Sequence, residues 1–342
     1  MDWWDPAIAV AGLVVGLVVG LTGMGGGALM TPILVFFFGV SPLAAVSSDV
    51  VASLFMKPVG GIVHLRRGTV HLGLVKWLCL GSIPGAFTGV LVLRALGGGE
   101  RMQDTLLVAL GAILVIAAAA MATKAYLKLR ERERLRGSAE VPERALSSVP
   151  VRHLATVLVG LGGGLVVGMT SVGAGSLMIV CLLLLYPTIR TSQLVGTDLV
   201  QAVPLVAAAS LGHVLFGDFA LGLTGSILVG AIPGVWLGAR VSSRTPGSLV
   251  RRALAIVMLA SGTKLLGATT GVVAAVTLAA IVVGVATWAT VRVRHGEAPF
   301  VWQQRRRYRT LEAGATAPAP TGAEAESAPL LTGTTGRAGT ES

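Results

Sequence analysis

Gly16-Leu-Val-Val-Gly20-Leu-Thr22-Gly-Met-Gly25-Gly-Gly27-Ala-Leu29-Met30 returns later in the chain as Gly164-Leu-Val-Val-Gly168-Met-Thr170-Ser-Val-Gly173-Ala-Gly175-Ser-Leu177-Met178. The offset is 148 residues, and ten of the fifteen positions are identical. Shifted to 149, the match continues: Asp49 meets Asp198, His64 meets His213, Gly68 meets Gly217, and Gly81-Ser-Ile-Pro84-Gly85 meets Gly230-Ala-Ile-Pro233-Gly234. Two unrelated apolar stretches match by chance at Leu and Val, not at His, Asp and Pro in order. The sequence therefore reads as two copies of one pattern.

What surrounds the copies places them in lipid. Apolar residues make up 54% of the 342 and charged residues 13%, and the mean hydropathy is +0.80. A soluble domain carries about a quarter charged residues. The apolar residues fall in runs such as Ala7 to Leu21, Leu106 to Ala122 and Leu265 to Ala289, close to the ~20 residues that span a bilayer core. Each half divides into five apolar segments, at about 6–22, 25–40, 43–65, 72–94 and 104–124, then 153–171, 173–187, 193–216, 219–240 and 249–267, with an extra one at 270–291. The expected fold is all-α: a polytopic transmembrane helical bundle with short broken helices at the glycine-rich breaks.

Charge placement orients the bundle. The net charge of +11 sits in polar breaks and end stretches, the habit of cytoplasmic loops, so nucleic acid is not an expected partner. If every segment crosses, Arg66, Arg67, Arg190, Arg240, Arg244, Arg251, Arg252, Arg292 and Arg294 share one side with the linker, leaving Arg94, Arg101 and Lys264 opposite. Five crossings per half is an odd number, so the halves would be inverted relative to one another, a plan common in secondary transporters. The domain reading is a first transmembrane repeat at 6–124, a basic cytoplasmic linker at 125–152, a second repeat with its extra helix at 153–291, and a basic, then disordered cytoplasmic tail at 292–342. The N-terminal Trp3 and Trp4 read as interfacial anchors of a retained span rather than part of a signal peptide.

The chemistry is sought at the breaks. Thr22, Gly23, Gly25, Gly26 and Gly27, with Thr170, Ser171, Gly173 and Gly175 in the second copy, either let helices approach closely or unwind the backbone so that free N–H groups at a helix start hold an anion. Lys57, inside an apolar segment, reads as a counter-charge for an anion or as the silent partner of an acid such as Asp49. Asp49 and Asp198 carry protons or cap a helix N-terminus, and Gln201, one turn beyond Asp198, shares the same cavity. His64 and His213 are candidates for coupling or gating, or polar end-residues. Cys79 and Cys181 lack metal-type spacing, so no metal and no cofactor is expected.

The pattern Gly20-x-x-Gly23-x-Gly25-Gly26-Gly27 with Pro32, then Ala44 to Ser53, His64 with Arg66 and Gly68, and Gly81 to Gly89, resembles the sulfite exporter TauE/SafE family across about 6–291. The resemblance implies a multi-pass permease of the plasma (inner) membrane that moves small anions, with sulfite or an organosulfonate as cargo. The expected function is an ion-coupled secondary transporter whose partners are a small anion and the bilayer, with a homo-oligomer left open. An anion channel is the alternative, then an intramembrane enzyme. The last is disfavoured because no His-Glu-x-x-His pair or Gly-x-Ser-x-Gly elbow is present, and the chain is not expected to be an enzyme.

Overall fold

The computed structural model describes residues 4–22, 26–66, 68–96, 99–137, 150–173, 175–187, 189, 191–217, 219–241 and 247–294. They form eleven helices: α1 (Pro6–Thr22), α2 (Gly27–Phe38), α3 (Pro42–Arg66), α4 (Leu72–Ala95), α5 (Glu100–Gly137), α6 (His153–Thr170), α7 (Leu177–Leu185), α8 (Thr191–Phe216), α9 (Leu221–Val241), α10 (Gly247–Leu265) and α11 (Thr270–Arg294). Hydrocarbon supplies no hydrogen-bond partners, so each spanning backbone must satisfy itself, which helices do. Seven of them, α3, α4, α5, α6, α8, α9 and α11, are long and apolar enough to cross a membrane. The outward surface is apolar: Phe37, Leu154, Leu184 and Leu221 are 81%, 75%, 70% and 79% exposed.

The short second segments become the two shortest helices. At 1.5 Å per residue, α2 with 12 residues and α7 with 9 reach about 18 and 14 Å, roughly half a bilayer core. A left-handed Gly39, φ 62°, ends α2 and returns its N–H to the Leu34 carbonyl. The basic stretch after Lys124 continues α5 without interruption as far as Gly137. The remainder of the linker, 138–149, and the tail beyond 294 lie outside the described residues.

Glycine ridges set the packing. Gly81, Gly85 and Gly89 of α4 rest against the carbonyl oxygens of Val157, Leu161 and Leu165 in α6, while Gly160, Gly164 and Gly168 of α6 rest against those of Leu78, Ser82 and Ala86. The other close pair is built alike. Gly230, Gly234 and Gly238 of α9 meet Ala9, Leu13 and Leu17 of α1, and Gly12 and Gly16 meet Ile227 and Ala231. A Cβ at any of these glycines would overlap backbone, so the helices touch main chain to main chain, gaining dispersion contacts that lipid tails cannot outcompete. In both pairs the numbers rise together, so α4 runs parallel to α6 and α1 to α9. The 148–149 offset carries one pair onto the other.

The offset relates α3 to α8 and α5 to α10, and these partners pack against each other in opposite directions. Ser47 meets His213, Val50 meets Ser210, and Gly61 meets Leu199 and Val200. Gly111 lies against Gly262 and Leu266, and Gly262 against Val115. Pro58 in α3 and Pro204 in α8 each leave one carbonyl of the preceding turn without its helical donor. The chain divides into two compact units between Ala280 and Ile281. The second unit begins with the end of α11, where Val282, Val283 and Val285 are exposed.

The ridge contacts predict a contrast between glycines. Gly85→Leu and Gly234→Leu should each lower stability in detergent by about 3 kcal/mol or more through main-chain overlap. Gly162→Leu, where nothing lies within 4 Å, should be tolerated; thermal unfolding of the three purified variants checks this.

Candidate functional site

Along α3, Ser47, Ser48, Asp49, Ser53 and Lys57 are all buried, the last at 7% exposed. Asp49, Ser53 and Lys57 are spaced by four, which puts them on one helix face over about 12 Å. Thr197, Asp198, Gln201, Ser210 and His213 of α8 are likewise buried. Ten polar side chains on two adjoining helices thus leave water together, although lipid-facing positions nearby are apolar.

Asp49 and Asp198 are not helix caps. Each is the eighth residue of its helix, counted from Pro42 and Thr191, too far along to bond the unpaired N–H groups of the first turn. They face the two breaks instead. Ser171, just past α6, donates its hydroxyl to Asp49 Oδ2 at 2.5 Å. Ser171 also packs its backbone on Gly27 at the start of α2, where no Cβ would fit. A Cβ at Gly26 would lie 3.6 Å from Asp49 Oδ1. The breaks of the two copies therefore meet each other, with Asp49 between them.

Ser171 is the one non-glycine with positive φ among the described residues, at 59°. The first copy has Gly23 at the matching position. A serine there carries a backbone strain of roughly 1 kcal/mol, and its hydroxyl is what reaches Asp49. Gly173 and Gly175 are also left-handed, φ 121° and 93°, and the Gly175 N–H acts on the Asp198 carboxylate. Thr22 and Thr170 turn their hydroxyls back to the Val18 and Val166 carbonyls, ending their helices rather than facing the site. Gly23 and Gly25 lie outside the described residues.

Gln201 connects three elements. Its Oε1 accepts from Ser82 of α4 at 3.1 Å. Its Nε2 donates to Asp198 Oδ1 at 3.1 Å and to the Met178 sulfur of α7. Asp198 Oδ2 is buried with no partner, as are the hydroxyls of Thr31, Ser48 and Ser53. Lys57 lies within electrostatic reach of both Asp198 and Asp49, but among the described residues no salt bridge or hydrogen bond joins it to either. The silent ion pair with Asp49 is thus not formed.

The paired histidines differ. The Nε2 of His213 faces the Gly168 carbonyl at 2.8 Å and its Nδ1 faces the Ser47 hydroxyl at 2.9 Å. A carbonyl only accepts, so Nε2 carries the proton and the neutral ring's Nδ1 accepts from Ser47. The ring thereby ties α8 to α3 and α6. His64 is half-buried and bonds Thr69 of its own loop. Beside His213 opens a cavity of about 280 Å³ lined by Leu43, Val90, Leu93, Arg94, Met102 and Phe216. Arg94 stacks over Phe216 at 4.6 Å.

Sequence reasoning passed over Thr31, Ser48, Ser53, Ser82 and His71. The four-residue spacing Asp49–Ser53–Lys57 was the available signal for Ser53. His71 caps α4, accepting from the Leu74 N–H at 3.1 Å, a contact that no pattern announces.

A model of the family described as sulfite exporter TauE/SafE matches residues 8–265. The chain belongs to the sulfite exporter TauE/SafE family. It is 35% identical over 262 residues to the probable membrane transporter protein YjnA of Bacillus subtilis (strain 168), covering 76% of this chain and 99% of that one. The probable membrane transporter protein YdhB of the same organism is 23% identical over 252 residues, covering 73% and 96%. No solved structure matches the chain. With seven apolar helices able to span and transporter relatives at nearly full length, this TauE/SafE member is a multi-pass membrane transporter.

Ser171 yields a discriminating pair of variants. Ser171→Ala keeps the strained backbone and removes the donor to a buried carboxylate, so stability should fall by about 1–3 kcal/mol. Ser171→Gly removes the donor but relieves the strain, and should be less destabilised by roughly 1 kcal/mol. Thermal unfolding of both variants in one detergent measures the difference.

Proposed function

We propose that this transporter carries a small anion, sulfite or an organosulfonate, through the buried cluster between α3, α8 and the two breaks. The supporting observation is Lys57: a buried ammonium inside α3, within electrostatic reach of Asp49 and Asp198 and bridged to neither among the described residues. A cation held in this way is an expensive feature of a lipid-embedded protein and by default a functional one. Hydroxyls of Thr31, Ser48 and Ser53, buried without partners, are ready donors for an oxyanion's several oxygens.

An inverted arrangement of the halves, with carrier-type alternating access, is part of this reading. It is supported by the antiparallel packing of the offset-related helices α3 and α8, and of α5 and α10. In this reading the cavity beside His213 and Arg94 is the outer vestibule. His213 on its wall bonds Ser47 of α3, two residues from Asp49. The plasma membrane is the expected location, with the linker and tail cytoplasmic. The ends of α3 and α5 carrying Arg66 and the run after Lys124 point the same way, as the positive-inside bias requires.

Counterflow of sulfite in proteoliposomes tests the anion site. Lys57→Met, similar in length and without charge, should lower the rate about 30-fold or more, the effect of losing a buried charge contact worth at least about 2 kcal/mol. Lys57→Arg should retain part of it. Wild-type rates in a correctly inserted Lys57→Met protein would remove Lys57 from the site.

A further inference from the structure

Resting on the anion reading, we infer that Asp198 Oδ2 takes up a proton each time the site accepts an anion, so that cargo and proton move in the same direction. Charge balance and the hydrogen-bond geometry both lead there. Asp49, Lys57 and Asp198 are all buried, and fully ionised they sum to minus one. Lys124, which acts on Asp198 from α5 and is partly exposed, brings the total at most to zero. A monoanion added to this group leaves one or two negative charges uncompensated in a medium of low dielectric, at a cost of several kcal/mol. One proton on a carboxylate offsets the charge that the anion brings.

The two acids are not equivalent hosts for that proton. Asp49 Oδ2 already accepts the Ser171 hydroxyl and its other oxygen faces the Gly26 break. Asp198 is served on Oδ1 by Gln201, whose amide is held by Ser82 and Met178 so that its NH₂ points at the acid. Oδ2 is buried and has no donor. Lys57 from α3, Lys124 from α5 and the Gly175 N–H before α7 act on the carboxylate and only donate, and the neighbouring Thr197 oxygen is already engaged by the His71 N–H of α4. None of these is a free acceptor for an O–H at Oδ2. An anion is.

The step is therefore a simple protonation. A proton from water forms an O–H bond at Oδ2, the carboxylate becomes a neutral acid, and that O–H donates to an oxygen of the anion. Release of the anion returns the proton to water, and no other bond is made or broken.

The test uses the full chain in lipid nanodiscs with sulfite as the probe. Calorimetric titration in buffers of different ionisation enthalpy counts protons taken up per anion, and difference infrared spectroscopy follows the carboxylic-acid C=O band. Sulfite's own titration is common to all proteins at one pH. Wild type is expected to take up about one proton more per anion than Asp198→Asn. It should also show an acid band that Asp198→Asn lacks and Asp49→Asn retains. Accumulation driven by a pH gradient should fall at least about tenfold in Asp198→Asn, the effect of about 1.4 kcal/mol of lost coupling. Wild type that binds sulfite without the band, or Asp198→Asn with wild-type proton uptake, overturns the proposal. If Asp198→Asn does not assemble, the wild-type band decides: absent, it overturns the proposal; present and kept in Asp49→Asn, it supports it. Failure of wild type to bind or carry sulfite removes instead the anion reading on which this rests.

Discussion

In hydrocarbon a peptide group finds no solvent to bond to, and apolar side chains have nothing to gain by leaving one apolar medium for another. Helices must therefore be held by fit. In this protein the fit is main chain against main chain, along glycines spaced by four on α1, α4, α6 and α9. The two parallel pairs so formed are close because they lack side chains at the seam. They position the remaining helices, including α3 and α8, whose facing sides carry the buried polar residues. Remove the ridges and the polar faces have no reason to meet.

That scaffold tolerates an expensive interior. Two carboxylates, a lysine, an amide and several hydroxyls are enclosed among helices whose exposed large apolar side chains are mostly Leu, Val, Ile and Phe. Most are tied to partners across elements: Ser171 to Asp49, Gln201 to Asp198 and Ser82, His213 to Ser47 and Gly168. The exceptions among the described residues are Asp198 Oδ2, the hydroxyls of Thr31, Ser48, Ser53 and Thr224, His71 Nε2 and Gln103 Oε1. Unmet donors and acceptors along α3 and α8, the helices of Lys57 and Asp198, are what the proposed anion site rests on. Prolines 58 and 204 sit next to this region, where their missing donors make the two helices easier to bend.

The departures from symmetry are as informative as the symmetry. Ser171 replaces the glycine of the first copy at a backbone angle that favours glycine, and its hydroxyl holds Asp49. Lys57 has Val206 as its counterpart, so the single buried ammonium belongs to one half only. His213 is locked into a three-helix junction, whereas His64 serves its own loop.

Helix count, membrane class and most helix ends followed from the order of residues alone, although α5 runs thirteen residues past the predicted segment end at 124. Runs of apolar side chains and the punctuation by Gly, Pro and charge act locally, through backbone hydrogen bonding and transfer to lipid. Predicted segments such as 6–22, 72–94 and 193–216 differ from the helices by a few residues at most. Asp49, Lys57, Asp198 and His213 were also visible, because an ionisable group in an apolar run is conspicuous at any distance. Their roles were not. Asp49 and Asp198 read equally well as caps until the helices were seen to begin seven residues earlier. The meeting of Ser171 with Gly27 and Asp49 joins positions more than 120 residues apart. No local pattern encodes such a meeting; it arises when glycine ridges bring two breaks to the same depth, and only a folded chain has depth.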